Sequence, residues 1–380
     1  MNRLKVLTGL CLCTIVLIIC WTRSDTHNSL SLYHHYISDD RVIKTHGQQV
    51  MTLHPRDNFQ RDQRQGNTNE LPLPISYSVQ KTSKNHQWST GELPNSNNLK
   101  VGIVYTKPSA NGSWELDQSI CNDVPVFKSV KLKTKAGPVD IYIHDPRKDA
   151  WVSAALSREG TWEQNTMELI STLLQEERDA ALLDIGANIG VYTLAAATLG
   201  FKVIAVEPLK INVQRICSSL RAGNFTRNVT IVRSALSNNL QKVTLGIVIN
   251  NVGGAYVLQD KHANKAKSEL VTGKYPDMVW TAKLDEIIKL PGFNFKKVII
   301  KMDVEGYENK VLSGGLHFFD VIEIPIVLME WNYHKHALSG KKILAFFGER
   351  SYKPYSPVKN MQLNINHSNE WPADILWKKE

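Results

Sequence analysis

The chain has 380 residues, enough for a catalytic domain with a sizeable core and an extension. Its 45 lysines and arginines outnumber 36 aspartates and glutamates, giving a net charge of +9. The basic residues are scattered, with no basic block interleaved with aromatics, which argues against a nucleic-acid partner. No spacing among the five cysteines suggests zinc.

At the N-terminus Met1-Asn2-Arg3-Leu4-Lys5 is basic, and Val6 to Trp21 is largely apolar. That pattern is a secretory-pathway signal, and no small-residue cleavage site follows it. The segment 1–24 is therefore expected to be a cytosolic tip and uncleaved signal-anchor helix, with cleavage and secretion as the alternative. The positive-inside rule puts Arg3 and Lys5 in the cytosol and everything after about Ser24 in the lumen, a single-pass type II arrangement of the Golgi kind. The sequons at Asn111, Asn224, Asn228 and Asn366 agree with that address. Residues 25–98 are rich in Gln, Asn, Ser, His and Arg and poor in clustered apolar residues, which predicts a flexible stem reaching ~45 Å.

The catalytic part is expected from residue 99. Its lead-in, 99–180, holds Cys121, which either bridges to Cys217 in an oxidising lumen or leaves Cys217 a buried free thiol. Alternation at Val130-Lys131-Leu132-Lys133 and at Val139 to Ile143 around Gly137-Pro138 predicts a hairpin, and Trp162 to Leu174 has helical apolar spacing. Over 181–380, strand and helix signals then alternate: Leu182–Ile185, Val191–Leu199, Lys202–Val206, Ile211–Leu220, Val229–Arg233, Val298–Met302 and Ile324–Met329. The alternation predicts an α/β, doubly wound, mostly parallel Rossmann-like sheet. Val243 to Gln259, marked by Val252-Gly253-Gly254-Ala255, reads as an antiparallel β insert beside the site.

The chemistry concentrates where apolar strands end. Leu182-Leu183-Asp184-Ile185-Gly186-Ala187-Asn188-Ile189-Gly190 is a strand running into a glycine-spaced turn, and Glu207 closes the next strand about 20 residues later, where nucleotide folds place the acid that holds a ribose hydroxyl. The spacing is Gly186-x-x-x-Gly190, not the G-x-G-x-x-G of pyrophosphate sites, and Asp184 would repel a phosphate while suiting an ammonium. S-adenosylmethionine carries an ammonium and no phosphate. The expected cofactor-binding residues are Asp184, Gly186, Ala187, Asn188, Gly190 and Glu207, with Ser234 and Ala235 after the third strand.

Several separated blocks resemble the FkbM-type methyltransferases, class I enzymes that use S-adenosylmethionine. They are Arg158-Glu159-Gly160-Thr161-Trp162-Glu163, Asp184 to Thr193, Ala205-Val206-Glu207-Pro208, Leu284-Asp285, and Lys301-Met302-Asp303-Val304-Glu305-Gly306-Tyr307-Glu308 with Leu312-Ser313-Gly314-Gly315. Their order and spacing fit from about Val130 to the C-terminus. The resemblance implies a class I methyltransferase core and a closing strand pair in Ser351 to Tyr355 and Asp374 to Trp377.

Methyl transfer requires chiefly alignment, plus a group to take the proton of an acceptor hydroxyl. Asp303, Glu305 and Glu330 stand at or just after strand ends and are the expected catalytic carboxylates; Glu305 and Glu308 have the competing reading of helix caps. Trp331 to His336 reads as an acceptor wall. With no paired-aspartate cluster, metal independence is expected, the alternative being a divalent cation held by Asp303 with Glu305 or Glu330. The lumenal address points to a glycan or glycoconjugate acceptor, with a lipid or small-molecule hydroxyl, or a non-catalytic anchored adaptor, as alternatives.

Overall fold

The computed structural model describes residues 103–107, 113–122, 124–248, 250–258 and 277–380, all within the unit Asn85–Glu380. The expected anchor and stem lie outside the described residues, as does Gln259 at the end of the expected insert. Among the described residues, no helix is long and apolar enough to cross a membrane.

In chain order the strands and helices are β1 (Ile103–Thr106), β2 (Glu115–Leu116), β3 (Lys128–Leu132), β4 (Val139–Ile143), α1 (Val152–Glu159), α2 (Gln164–Glu176), β5 (Ala181–Ile185), α3 (Val191–Thr198), β6 (Val203–Val206), α4 (Lys210–Ala222) and β7 (Val229–Arg233). There follow β8 (Ala235–Leu236), β9 (Lys242–Val248), β10 (Asn251–Val257), β11 (Met278–Ala282), β12 (Val298–Met302), α5 (Glu308–Ser313), α6 (Leu316–Val321), β13 (Ile326–Glu330), α7 (Leu338–Gly348), β14 (Tyr352–Tyr355) and β15 (Asp374–Lys379).

Nine strands form one sheet in the order β14-β15-β13-β12-β5-β6-β7-β1-β2. Pairing is parallel from β13 to β1, while β15 runs antiparallel to both β13 and β14. β5, β6 and β12 are buried along their whole length, as strands covered on both faces must be, and so they read as nearly continuous apolar runs, interrupted by Asp184 in β5 and Lys301 in β12. One face is covered by α2, α3 and α4, whose apolar sides join a core with Ile170, Leu194, Ile216 and the hairpin residues Leu132 and Ile141. The other core gathers Leu284, Phe318, Phe347 and Trp377. Each such large side chain contributes on the order of 1.5–3 kcal/mol by leaving water.

The hairpin β3-β4 is a separate two-stranded sheet, and β9-β10 with β11 and β8 make the four-stranded insert. β1 and β2 extend the sheet beyond β7, an addition that four residues of Ile103–Thr106 were too short to announce. The question over the cysteines is answered by a bridge. Cys121 and Cys217 are bonded, Cα atoms 5.5 Å apart, tying the helical turn Ser119–Asn122 to α4.

Candidate active site

β5 and β12 are paired in parallel with Ile185 opposite Met302, so the turn after β5 and the residues after β12 emerge together at the carboxyl edge. The turn is held against its neighbours: the N–H groups of Gly186 and Ala187 both donate to the Val206 carbonyl at the end of β6, and Asp303 N–H donates to the Ile185 carbonyl. Gly186 has φ +82°, and a Cβ there would collide with the Asp303 carbonyl oxygen. Only glycine satisfies both conditions. Gly190, at φ +94°, is the residue from which α3 starts.

Asp184 is fully buried, and its Oδ2 accepts a 2.6 Å bond from the Thr193 hydroxyl. Burial pushes its carboxyl above the usual range, against the pull of Lys301. Glu207 is also buried and accepts from the backbone N–H of Asn188 (2.8 Å) and of Leu209 (2.9 Å) and from the Asn212 amide (3.2 Å). Desolvation raises it to about 7 despite those bonds. Asp184 Oδ1 and Asn188 Oδ1 are buried without a partner among the described residues.

Those features fit S-adenosylmethionine. The ribose needs an acid, met by Glu207, and the ammonium needs acceptors, met by unclaimed oxygens beside the turn; nothing in the site resembles a phosphate cradle. Asp184, Gly186, Ala187, Asn188, Gly190 and Glu207 thus lie together at one corner. Ser234 and Ala235 have other tasks: the buried Ser234 hydroxyl is directed at the Trp280 and Ala235 carbonyls, and Ala235 pairs with Thr281 in the insert. That hydroxyl links the residue before β8 to β11.

Beyond the turn lies a crowd of carboxyls around one buried lysine. Lys301 Nζ is 3.2 Å from the Gly186 carbonyl, 3.5 Å from Asp303 Oδ2, and 5.1 Å from the Tyr192 ring centroid. Desolvation works against its charge, but Asp303, Asp184, Glu163 and Asp374 outweigh that and hold it firmly protonated. The Asp303 side chain is 37% exposed. Glu305 accepts 2.6 Å from the Tyr333 hydroxyl and is raised by burial, then by Asp303, to about 7. Glu330 is raised by burial and by Asp303, Glu308 and Glu305 to about 11, and its buried Oε2 has no partner. It therefore presents a protonated carboxyl near neutral pH, which makes it a donor and not a base. Asp374, opposite Glu330 across β13-β15, is raised by burial and Glu163 to about 8.

The helix-cap alternative separates the two acids. Glu308 is fully buried; Oε1 accepts from Val304 N–H and Oε2 from His334 Nε2 at 2.7 Å, so it is structural, whereas Glu305 faces Tyr333. The acceptor wall is largely withdrawn. Trp331 is 0% exposed with its indole donating to the Ser368 carbonyl, and His334 is clamped between Glu308 and Ser339; Asn332, Tyr333 and His336 are exposed and Lys335 partly so. Asp303, Glu308 and Glu330 each offer an oxygen within 4.8 Å of the others, a cluster a search for paired aspartates does not reveal. Sequence reasoning also missed Glu163, which sits at φ +46° and accepts from the Tyr192 hydroxyl at 2.8 Å, although it ends a motif block. Asp374 gave no signal, since its place depends on strand register.

Fold and site together define a class I methyltransferase domain with S-adenosylmethionine as its cofactor. Residues 184–354 match the family model of the methyltransferase FkbM domain. Among solved structures it is similar to a methyltransferase FkbM from Methylobacillus flagellatus KT (19% identity, 53% of this chain, 44% of that one, TM-score 0.32). It is also similar to magnesium protoporphyrin IX methyltransferase from Synechocystis PCC 6803 with bound SAM (9%, 57% and 79%, TM-score 0.30). A third is a T. thermophilus 16S rRNA methyltransferase in complex with AdoMet and guanosine (11%, 67% and 51%, TM-score 0.35). The chain thus spans less than half the length of the first of these. No curated protein matches it.

Proposed function

We propose that the chain is an O-methyltransferase of the secretory pathway that methylates a hydroxyl of a glycan, a hexose or related sugar. The observation that carries the transfer reading is Asp303: a half-exposed carboxylate immediately beside the cofactor turn, held there by its own backbone bond to β5. The bound cofactor supplies an activated methyl group. Asp303 is placed to take the proton of the attacking hydroxyl as the bond forms, while protonated Glu330 and the Glu305–Tyr333 pair orient the acceptor. The neighbouring acids disfavour an anionic acceptor and suit a neutral hydroxyl.

The address rests on two supports. One is the basic tip and apolar run at the N-terminus, which makes the chain a single-pass type II Golgi membrane protein with a lumenal catalytic domain; the other is the Cys121–Cys217 bridge, since such bonds persist in oxidising compartments. A lumenal enzyme meets chiefly glycoproteins, glycolipids and polysaccharides. The test incubates the protein with isotope-labelled S-adenosylmethionine and a mixed glycan pool, then locates the label by fragment mass spectrometry. Label on a sugar oxygen, lost in Asp303→Asn, is the expected result. Cofactor binding without transfer to any glycan would instead favour a lipid or small-molecule hydroxyl, or a non-catalytic adaptor.

A further inference from the structure

Glu207 does not stand alone behind the cofactor turn; a chain of directed hydrogen bonds reaches it from two other parts of the fold. Asn212, one turn into α4, is fully buried. Its Nδ2 lies 3.2 Å from Glu207 Oε1 and 2.8 Å from the carbonyl oxygen of Gly253 in β10, and its Oδ1 lies 2.7 Å from His144 Nε2, just after β4. Both neighbours of Nδ2 are acceptors, so the amide has one workable orientation; flipped, its oxygen would face two oxygens. With Oδ1 then left as an acceptor, His144 must carry its proton on Nε2.

The His144 backbone is fixed in turn. The His144 backbone N–H donates to Ser153 Oγ at 3.0 Å, and the Ser153 hydroxyl and N–H both donate to buried Asp149. The charged groups facing His144 are Arg215 of α4 and Asp149 before α1; desolvation first, then Arg215, lowers the imidazole to about 4, so it remains neutral across the working pH range. Toward Glu207 the charged neighbour is Lys301 of β12, alongside the donors of Asn188, Leu209 and Asn212. Gly253 closes the arrangement: a Cβ there would stand 3.0 Å from Asn188 Oδ1 and 3.4 Å from the His144 ring.

We infer that Asn212 and His144 are positioning residues, a relay that holds the Glu207 carboxylate in the orientation that grips the cofactor's ribose and ties the insert to that grip. The inference rests on reading Glu207 as the ribose acid. Without the His144 donor, Asn212 Oδ1 is left buried without a partner, and the amide loses the bond that holds it against Glu207. Without the Asn212 amide, Glu207 loses a donor to its charged form, and the pH at which it ionises rises.

The experiment measures S-adenosylmethionine affinity calorimetrically on the full chain between pH 6 and 9, with Tm recorded for each variant. Asn212→Asp and His144→Leu are expected to bind about tenfold more weakly or worse, the loss of one hydrogen bond to a charged group. Asn212→Asp should also move the midpoint of the pH–affinity curve upward. His144→Gln, whose amide can still donate to Asn212, should stay near the parent, which a role in packing alone would not produce. If Glu207→Gln weakens binding while Asn212→Asp and His144→Leu keep the parent's affinity and pH profile, the relay is overturned. If Glu207→Gln itself binds like the parent, the ribose reading fails, and the relay with it.

Discussion

Removing the Cys121–Cys217 bridge should cost more stability than any single contact in the site. The two cysteines are 96 residues apart and both fully buried, and Arg221 adds a 2.7 Å bond to the Cys121 carbonyl, so the bridge is the main tie between the Ser119–Asn122 turn and α4. In the chain-entropy account, cross-linking a loop of that length removes freedom from the unfolded state worth about 4–5 kcal/mol. For a domain this large the loss corresponds to roughly 10–15 °C in Tm. The assay compares guanidinium and thermal unfolding of the parent, oxidised and reduced, with Cys121→Ala/Cys217→Ala. The oxidised parent should unfold last, and the other two should nearly coincide. Thiol counting gives the independent check: of the five cysteines, three should react in the denatured, unreduced chain. Five reactive thiols, or identical oxidised and reduced midpoints, would refute the reasoning.

Gly186→Ala combines a left-handed backbone with a collision against the Asp303 carbonyl, and should abolish cofactor binding by calorimetry while costing upward of about 1–2 kcal/mol in denaturant stability. The pH dependence of the unliganded protein should run against the usual trend. Glu207 and Glu305, raised to about 7, and Asp374, raised to about 8, bind protons more tightly folded than unfolded, so their contribution is complete below about pH 4.5 and is lost as pH rises through 7 to 8. His144, lowered to about 4, acts oppositely and destabilises as pH falls below about 6.5. Three raised acids outweigh one lowered histidine, so thermal melts should fall steadily as pH rises from about 5 to 8, and a maximum at pH 8 would contradict the burial argument. Chelation with EDTA should leave methyl transfer unchanged, because both Glu308 oxygens are already engaged by Val304 and His334; activity lost to EDTA and restored by magnesium would show otherwise.

The sheet was legible where burial leaves a mostly apolar run: Val229–Arg233 and Val298–Met302 coincide with β7 and β12, and the hairpin and closing pair lie where alternation and resemblance placed them. The cofactor turn was legible because glycine spacing and a distal acid are local patterns. Tertiary facts were not. Trp331-Asn332-Tyr333-His334 looks like a polar, aromatic surface strip, yet Trp331 and His334 turn inward together because a 3-10 turn over Asn332–His334 puts residues three apart on one side, facing Trp371 and Glu308. Ser234 stands next to the sheet's carboxyl edge in sequence, but the partner that claims its hydroxyl, Trp280, is 46 residues away. The Glu330–Asp374 apposition exists only through the register of β13 on β15.

That apposition explains how so acidic a centre holds together. Asp184, Asp303, Asp374 and Glu163 act together on Lys301, a single buried cation that cannot offset them all if every group is ionised. The structure answers by unequal protonation: Glu330, Asp374 and Glu163 are pushed upward, and the proton-bearing groups separate the charges that remain. Asp303, partly exposed, is left next to the lysine and the cofactor turn. A centre balanced in this way favours a ligand that brings positive charge, and the sulfonium and ammonium of S-adenosylmethionine bring two. Cofactor affinity should accordingly rest on the whole carboxyl group and weaken as salt screens it or acid titrates it.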